Sequence, residues 1–173
     1  MTAPAVIAAV GLGGNVGDVR HALASALAAL DALPGTRLLR ASRCYRTPAW
    51  GMQAQPDFIN AAATLQTTLA PRALLDALLA IERDHGRERA ADGSRWGPRT
   101  LDLDLLVHAT AVVHVPGLVL PHPQMHLRAF VLVPLAEIAP DLDVPGHGTV
   151  RALLAEVDAS GVVALEPGHA ASA

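Results

Sequence analysis

The sequence contains no lysine: all 13 of its basic residues are arginine. Lysine Schiff-base chemistry and a lysine grip on phosphate are therefore excluded, and every cationic task falls to the planar, permanently charged guanidinium group. Cysteine is nearly as scarce. Cys44 stands alone, which rules out a disulfide framework and a cysteine metal cluster and fits a reduced, cytoplasmic setting. No His-x-x-x-His helix face or Cys/His cluster suggests zinc. A strong charge imbalance is also missing. The net charge of −3 gives no general attraction to nucleic acid or to an anionic membrane. No apolar stretch is long enough to span a bilayer. The apolar start, residues 3–10, has no basic residue before it and runs into a glycine-rich stretch, so it reads as a strand rather than a signal peptide. Apolar residues, by contrast, are plentiful. At 51% of 173 residues they suffice for a full core, and the chain reads as one domain over residues 1–166 with a disordered tail over 167–173.

Periodicity outlines the elements. A short buried strand over residues 5–12 leads into Gly11-Leu12-Gly13-Gly14-Asn15. Leu23, Leu27 and Leu30 recur at helical spacing behind Asp18, an N-cap residue, and Pro34-Gly35 stops that helix. Residues 36–45 read as a strand, and 47–56 as a turn-rich loop. From Phe58 to Leu69 the pattern alternates as a strand, and a helix starts near Pro71 and runs out near Gly86. An Arg-, Asp- and Gly-rich loop over 87–95 precedes a strand around residues 101–107, which pairs with a hairpin partner over 111–115. A helix over 125–137, interrupted by Pro134, a short helix over 149–157 and a short strand over 161–165 complete the chain. The order is strand, helix, two strands, helix, strand and a helical appendage. It predicts an α+β fold with a ferredoxin-like βαββαβ core, a mostly antiparallel sheet, helices on one face and C-terminal additions.

The chemistry concentrates in Leu101-Asp102-Leu103-Asp104-Leu105. On a strand, Asp102 and Asp104 share one face and the leucines share the other. Two carboxylates side by side on a half-buried strand repel and lose hydration, so they call for a strong positive partner. A divalent cation such as Mg²⁺ suits two carboxylates that leave room for substrate phosphates. An amphipathic edge strand is the plainer account of the pair alone. Arg83, Arg87, Arg89, Arg95 and Arg99 lie just upstream. Taken alone they describe a solvated loop. Beside the aspartates they supply what phosphoryl transfer needs, cations that bridge phosphate oxygens and guanidinium groups that meet the developing charge.

The glycine stretch at 11–18 lacks Gly-Lys-Ser/Thr, so it is no Walker loop, and its spacing does not match a dinucleotide fingerprint. A tight turn with backbone close to a neighbouring group is the better reading. Phe58 and Asn60 share a strand face, Trp50 and Trp96 flank loops, and Phe130 follows Arg128. A flat heteroaromatic ring wants aromatic faces and an amide on its edge. As core residues, Phe58 and Phe130 need no such ligand. His122 is held between Pro121 and Pro123, six residues before Arg128, and both suit a phosphate.

Several segments in collinear order resemble the 6-hydroxymethyl-7,8-dihydropterin pyrophosphokinase family. They are residues 11–18, Tyr45-Arg46-Thr47-Pro48, Gln55-Pro56-Asp57-Phe58-Ile59-Asn60-Ala61, Ile81-Glu82 with Gly86-Arg87-Glu88-Arg89, Arg95-Trp96-Gly97-Pro98-Arg99-Thr100-Leu101-Asp102-Leu103-Asp104, Pro121-His122-Pro123, and Arg128-Ala129-Phe130-Val131-Leu132. The resemblance implies transfer of pyrophosphate from ATP to the hydroxymethyl oxygen of a reduced pterin, with AMP as the other product. By this resemblance Asp102 and Asp104 hold two Mg²⁺ ions, and Arg87, Arg89 and Arg99 meet the triphosphate. Glu82, Arg99, His122 and Arg128 contact ATP. Thr47, Pro48, Phe58, Asn60, Trp96 and Phe130 surround the pterin.

Two other readings remain at this point. One is an Asp-x-Asp nucleotidyltransferase, although that class presents a Gly-Ser turn on a helix before its aspartates, where this chain has Trp96-Gly97-Pro98-Arg99. The other is a non-catalytic ferredoxin-like ligand-binding module, which has no need for two strand carboxylates beside arginines. With no exposed apolar stripe left unassigned, the chain is expected to be a monomer with no nucleic-acid or membrane partner.

Overall fold

The computed structural model describes residues 3–48, 56–85 and 101–167. The first strand, β1 (Val6–Gly14), continues through the glycines that were expected to form a turn. Helix α1 (Val19–Asp31) starts at Asp18, whose carboxylate accepts from the His21 amide at 3.1 Å, the N-cap expected there. Residues 36–45, expected as one strand, are two: β2 (Thr36–Ala41) and β3 (Tyr45–Thr47). Ser42 causes the break. Its Oγ accepts the Ala62 amide at 2.9 Å, and its own amide donates to the Ala62 carbonyl. A side chain thus takes a place in the ladder that backbone would fill.

Strand β4 (Phe58–Thr67) alternates as predicted, and α2 (Pro71–Asp84) starts on its proline. Next come β5 (Asp102–His108), β6 (Val113–Val115) and β7 (Leu118–Leu120). The expected hairpin between β5 and residues 111–115 does not form. β6 pairs with β7 as a separate ribbon, and β5 pairs with β1. The predicted helix over 125–137 is a 3₁₀ turn (Met125–Leu127) followed by α3 (Ala129–Ile138), which runs through Pro134. That proline withholds one amide from the helix without ending it. The small ribbon β8 (Asp143–Val144) with β9 (Gly148–Thr149), helix α4 (Val150–Leu154) and β10 (Val163–Ala164) follow.

The main sheet has the order β10-β3-β4-β1-β5, with β2 also paired to β4, and every pair is antiparallel. This confirms an α+β fold with an antiparallel sheet. On one face, Val10, Leu12, Leu65, Leu103 and Leu105 pack against Leu23 and Leu30 of α1 and Leu74 and Leu78 of α2. The core helices α1 and α2 share one face as expected, and the C-terminal additions α3 and α4, whose side the sequence left open, lie on the other. Val131, Leu132, Leu135 and Val150 cover Ala9, Ala62, Leu106 and Val107 on the opposite face. The composition of α3, apolar almost all round, requires burial on more than one side. A register shift between Ala9 and Val10 inserts Leu106 as an extra residue on β5, and both Leu106 and Val107 join this second core.

Candidate active site

Among the described residues, α3 covers the second sheet face only in part, and the end it leaves carries the polar residues. Leu101, just before β5, and Leu103 and Leu105 on it are buried in the first core, while Asp102 is half-buried and Asp104 exposed. The alternation expected of the aspartate pair is thus present in the structure. Across the ladder Asp102 faces Gly13 and Asp104 faces Gly11. β1 therefore offers no side chain beside either carboxylate, and the floor there is bare backbone.

The same row continues to Asn60, which is opposite Gly13 on β4, and to Tyr45 on β3. Asn60 is buried, and its Nδ2 donates to Thr47 Oγ1 at 3.1 Å. A Cβ on Gly13 would collide with Asn60 Oδ1. The close approach anticipated for the glycine stretch is real, although the tight turn is not. Asp102 and Asn60 lie two strands apart, roughly 10 Å. Phe58 is half-buried opposite Thr47 and shares a face with Asn60.

Above this face stands the start of α3. Phe130 is half-buried against the second core, and the Arg128 guanidinium lies 5.6 Å from its ring centroid, a cation–π distance. Thr47, Pro48, Arg128 and Phe130 border a cleft of about 480 Å³. His122 follows a cis Leu120–Pro121 bond, and its amide donates to the Leu106 carbonyl at 2.8 Å. Its Nδ1 accepts from the Gln124 amide at 3.2 Å. Burial, aided by the charge of Arg128, pushes the imidazole below its ordinary pKa. A neutral ring with an occupied Nδ1 acceptor carries its proton on Nε2, a donor suited to a phosphate oxygen.

Glu82, expected beside the nucleotide, is only 3% exposed, and its Oε1 accepts the Leu103 amide at 2.7 Å. It therefore grips the backbone between the two aspartates. Glu82→Ala strands that buried amide, and the expected cost is about 1–3 kcal/mol of stability. Denaturant unfolding checks it; a midpoint equal to wild type would show that the amide finds another acceptor. Arg87, Arg89, Arg99 and Trp96, like Arg95 and Trp50, lie outside the described residues. Among the described residues, no group of three or more His, Cys, Asp and Glu side chains is placed to hold a metal.

One cluster escaped the sequence reading. Tyr45 is buried on β3, and its hydroxyl donates to Glu137 Oε1 on α3 at 2.5 Å. Arg43 donates to the same carboxylate from its amide and from Nε, both at 2.9 Å. Nothing in the spacing of residues 45 and 137 foretells this contact; only the docking of α3 onto β3 brings them together. Partial burial raises the Glu137 pKa, but the hydrogen bonds from Tyr45 and Arg43 outweigh it and hold the carboxyl below the ordinary glutamate value. A depressed folded pKa gives stability that is present above the unfolded value and lost as pH falls through the folded one. The gap in thermal midpoint between wild type and Glu137→Gln should therefore be full at pH 7 and close as pH drops through the carboxylate range. A gap that stays constant would remove the charge from this account.

Known proteins resemble this chain in sequence and fold. Residues 9–140 match the family model of 7,8-dihydro-6-hydroxymethylpterin-pyrophosphokinase (HPPK). The chain is 49% identical over 157 residues to the 2-amino-4-hydroxy-6-hydroxymethyldihydropteridine pyrophosphokinase of Methylorubrum extorquens, covering 91% of this chain and 97% of that one. It is 39% identical over 162 residues to the protein of the same name from Haemophilus influenzae, covering 94% and 99% respectively. In fold it is similar to Plasmodium falciparum HPPK-DHPS, with a TM-score of 0.71 and 13% identity. That superposition covers 89% of this chain and 46% of the other, so the chain spans less than half of that longer protein. With a family model over most of its length and relatives matched nearly end to end, this chain belongs to the 7,8-dihydro-6-hydroxymethylpterin-pyrophosphokinase family.

Proposed function

We infer that the chain transfers pyrophosphate from ATP to the hydroxymethyl group of 6-hydroxymethyl-7,8-dihydropterin, releasing AMP, as a step of folate biosynthesis. The observation that carries this reading is the row Asp102–Gly13–Asn60, with a carboxylate at one end, Asp104 beside it on the same face, and an amide at the other end. In the reaction the hydroxymethyl oxygen forms a bond to the β-phosphorus. The bond from that phosphorus to the α–β bridging oxygen breaks, AMP leaves with the oxygen, and the hydroxyl proton passes to solvent. Positioning and charge neutralisation carry most of such a step.

Asn60, held by Thr47, reads the polar edge of the pterin with the backbone of Thr47 and Pro48. Phe130 and Phe58 supply faces for the ring, and Trp96 joins the pterin set. His122, Arg128, Arg99, Arg87 and Arg89 serve the phosphates of ATP. Glu82 serves the nucleotide end through the strand it grips. Asp102 and Asp104 fit two Mg²⁺ ions: they share a strand face opposite glycines, and carboxylates completed by substrate phosphates need no third protein ligand. When bound, the ions neutralise charge on the phosphate oxygens and on the attacking hydroxyl.

We read the sheet as ferredoxin-like. With β2 and β3 counted as one interrupted strand, the order β5-β1-β4-β3 and the helices α1 and α2 on one face follow the split βαβ plan. The working unit is a cytoplasmic monomer of one domain over residues 1–166. Among the described residues no helix is long and apolar enough to cross a membrane.

Incubation with MgATP and the reduced hydroxymethylpterin should yield AMP and the pyrophosphorylated pterin, read by ³¹P NMR. ADP or inorganic phosphate as the product would overturn the reading. Release of free pyrophosphate with a nucleotidylated acceptor would favour a nucleotidyltransferase, and ligand binding without turnover a binding module.

A further inference from the structure

The cleft beside Phe130 has a wall that the family's matched region does not supply. Thr47, Pro48, Arg128 and Phe130 form one side of it, while Asp158, Ser160, Gly161 and Val162 form the other. The family model ends at residue 140, so the second side is a return of the chain from beyond it.

Several bonds build this return. β10 pairs with β3, Val163 opposite Arg46 and Ala164 opposite Tyr45, one and two residues before Thr47. The Leu165 amide donates to the Cys44 carbonyl at 2.9 Å, and Arg20 Nη2 donates to the Glu166 carbonyl at 2.5 Å. The segment is thus laced to the same strand that presents Thr47 and Pro48. The turn ahead of it is closed internally. The Ser160 amide donates to Asp158 Oδ1 at 3.0 Å, and the Val162 amide to the Ala159 carbonyl at 3.0 Å. Gly161 stands against Pro48, where a Cβ would lie 3.9 Å from the proline Cδ. Asp158 and Ser160 are exposed, and so is Leu127 at 63%, an apolar side chain left open at the same cleft.

We propose that the turn 158–162 is the outer wall of the pterin end of the site, and that it sets which substituted pterins the cleft admits. The proposal rests on the pyrophosphokinase reading. A bicyclic pterin is a flat ring with a polar edge. The cleft pairs the Phe130 face and the Pro48 and Val162 side chains with the polar Thr47, Asp158 and Ser160. A wall on the ring's periphery meets substituents rather than the reacting hydroxymethyl oxygen. It therefore acts on which ring binds and leaves the transfer step alone. The turn is held by the bond from the Ser160 amide to the Asp158 carboxylate, which does not use the residue-160 side chain, so a larger side chain at 160 projects into the cleft without removing that bond.

The test is Ser160→Trp in the full chain, with wild type alongside. The unsubstituted reduced hydroxymethylpterin and MgATP are titrated separately, and kcat and the thermal midpoint are measured. The expected result is pterin KM raised at least tenfold, with KM for MgATP, saturated kcat and midpoint within a factor or few degrees of wild type. Ser160→Ala, which enlarges the cleft, should lower the KM of a ring-alkylated pterin relative to the unsubstituted one. Unchanged pterin KM in Ser160→Trp, or an unchanged KM ratio in Ser160→Ala, overturns the proposal while wild-type AMP formation stands. If wild type forms no AMP, it is the functional reading beneath the proposal that fails.

Discussion

Asp102→Ala and Asp104→Ala, made separately, should each lower the rate of AMP formation by roughly a thousandfold, about 4 kcal/mol of transition-state stabilisation. The pterin should still bind, because Asn60 and Thr47 stand on other strands and touch neither aspartate's backbone. The fold should hold as well. Asp104 is exposed and Asp102 half-buried, while the leucines that anchor β5 lie on the opposite face. Rates are read as AMP against MgCl₂ concentration, and pterin affinity by fluorescence quenching. Near-normal turnover in either variant would take the metal assignment away from that residue. A shift in Mg²⁺ dependence with unchanged saturated rate would reassign it to affinity alone.

Gly13→Ala should weaken pterin binding by roughly tenfold to a hundredfold, about 1–3 kcal/mol. The added methyl group occupies the place of Asn60 Oδ1. Asn60 is buried and tied to Thr47, so its amide cannot swing aside without losing that bond or leaving a polar atom unpaired in the interior. The nearest backbone atom to the new methyl, the Ile59 carbonyl oxygen, is 3.4 Å away, so the strand itself need not move. The damage should be confined to the ring-reading amide, and KM for MgATP should stay within twofold. Wild-type pterin affinity in Gly13→Ala would show that Asn60 does not read the ring. A parallel loss of MgATP affinity would show that the substitution disturbs the carboxylate end of the row too.

The parts of this site that were legible in the sequence are those set by local periodicity. Asp102 and Asp104 had to share a face once the run 101–105 was a strand, and Phe58 and Asn60 had to share another. Asp18 and Pro71 announced their helices for equally local reasons. The misreadings have one cause, competition from distant residues. Ser42 broke a strand because Ala62 lay across from it to be bonded. The glycines at 11, 13 and 14 looked like a turn, but β4 and β5 on either side held them extended. Glu82 also carries a duty that its motif does not show, to a backbone amide 21 positions away. The Tyr45–Glu137 contact spans 92 positions and leaves no mark on local spacing.

The second core also sets a dimension. Where α3 lies over the sheet it meets Ala9 and Ala62, and Gly11 stands on the same face against Leu106. Small residues under a helix act as thin shims. They fix how high the helix rides and, since Phe130 is carried on its first turn, how far that ring stands above the strands. The width of the slot that receives a flat molecule is then a property of alanines that never touch it. A methyl group added at Ala62 would widen the gap at Phe130 as a thicker shim tilts a lid, so that a mutation buried in apolar packing would read out as a change in ring stacking.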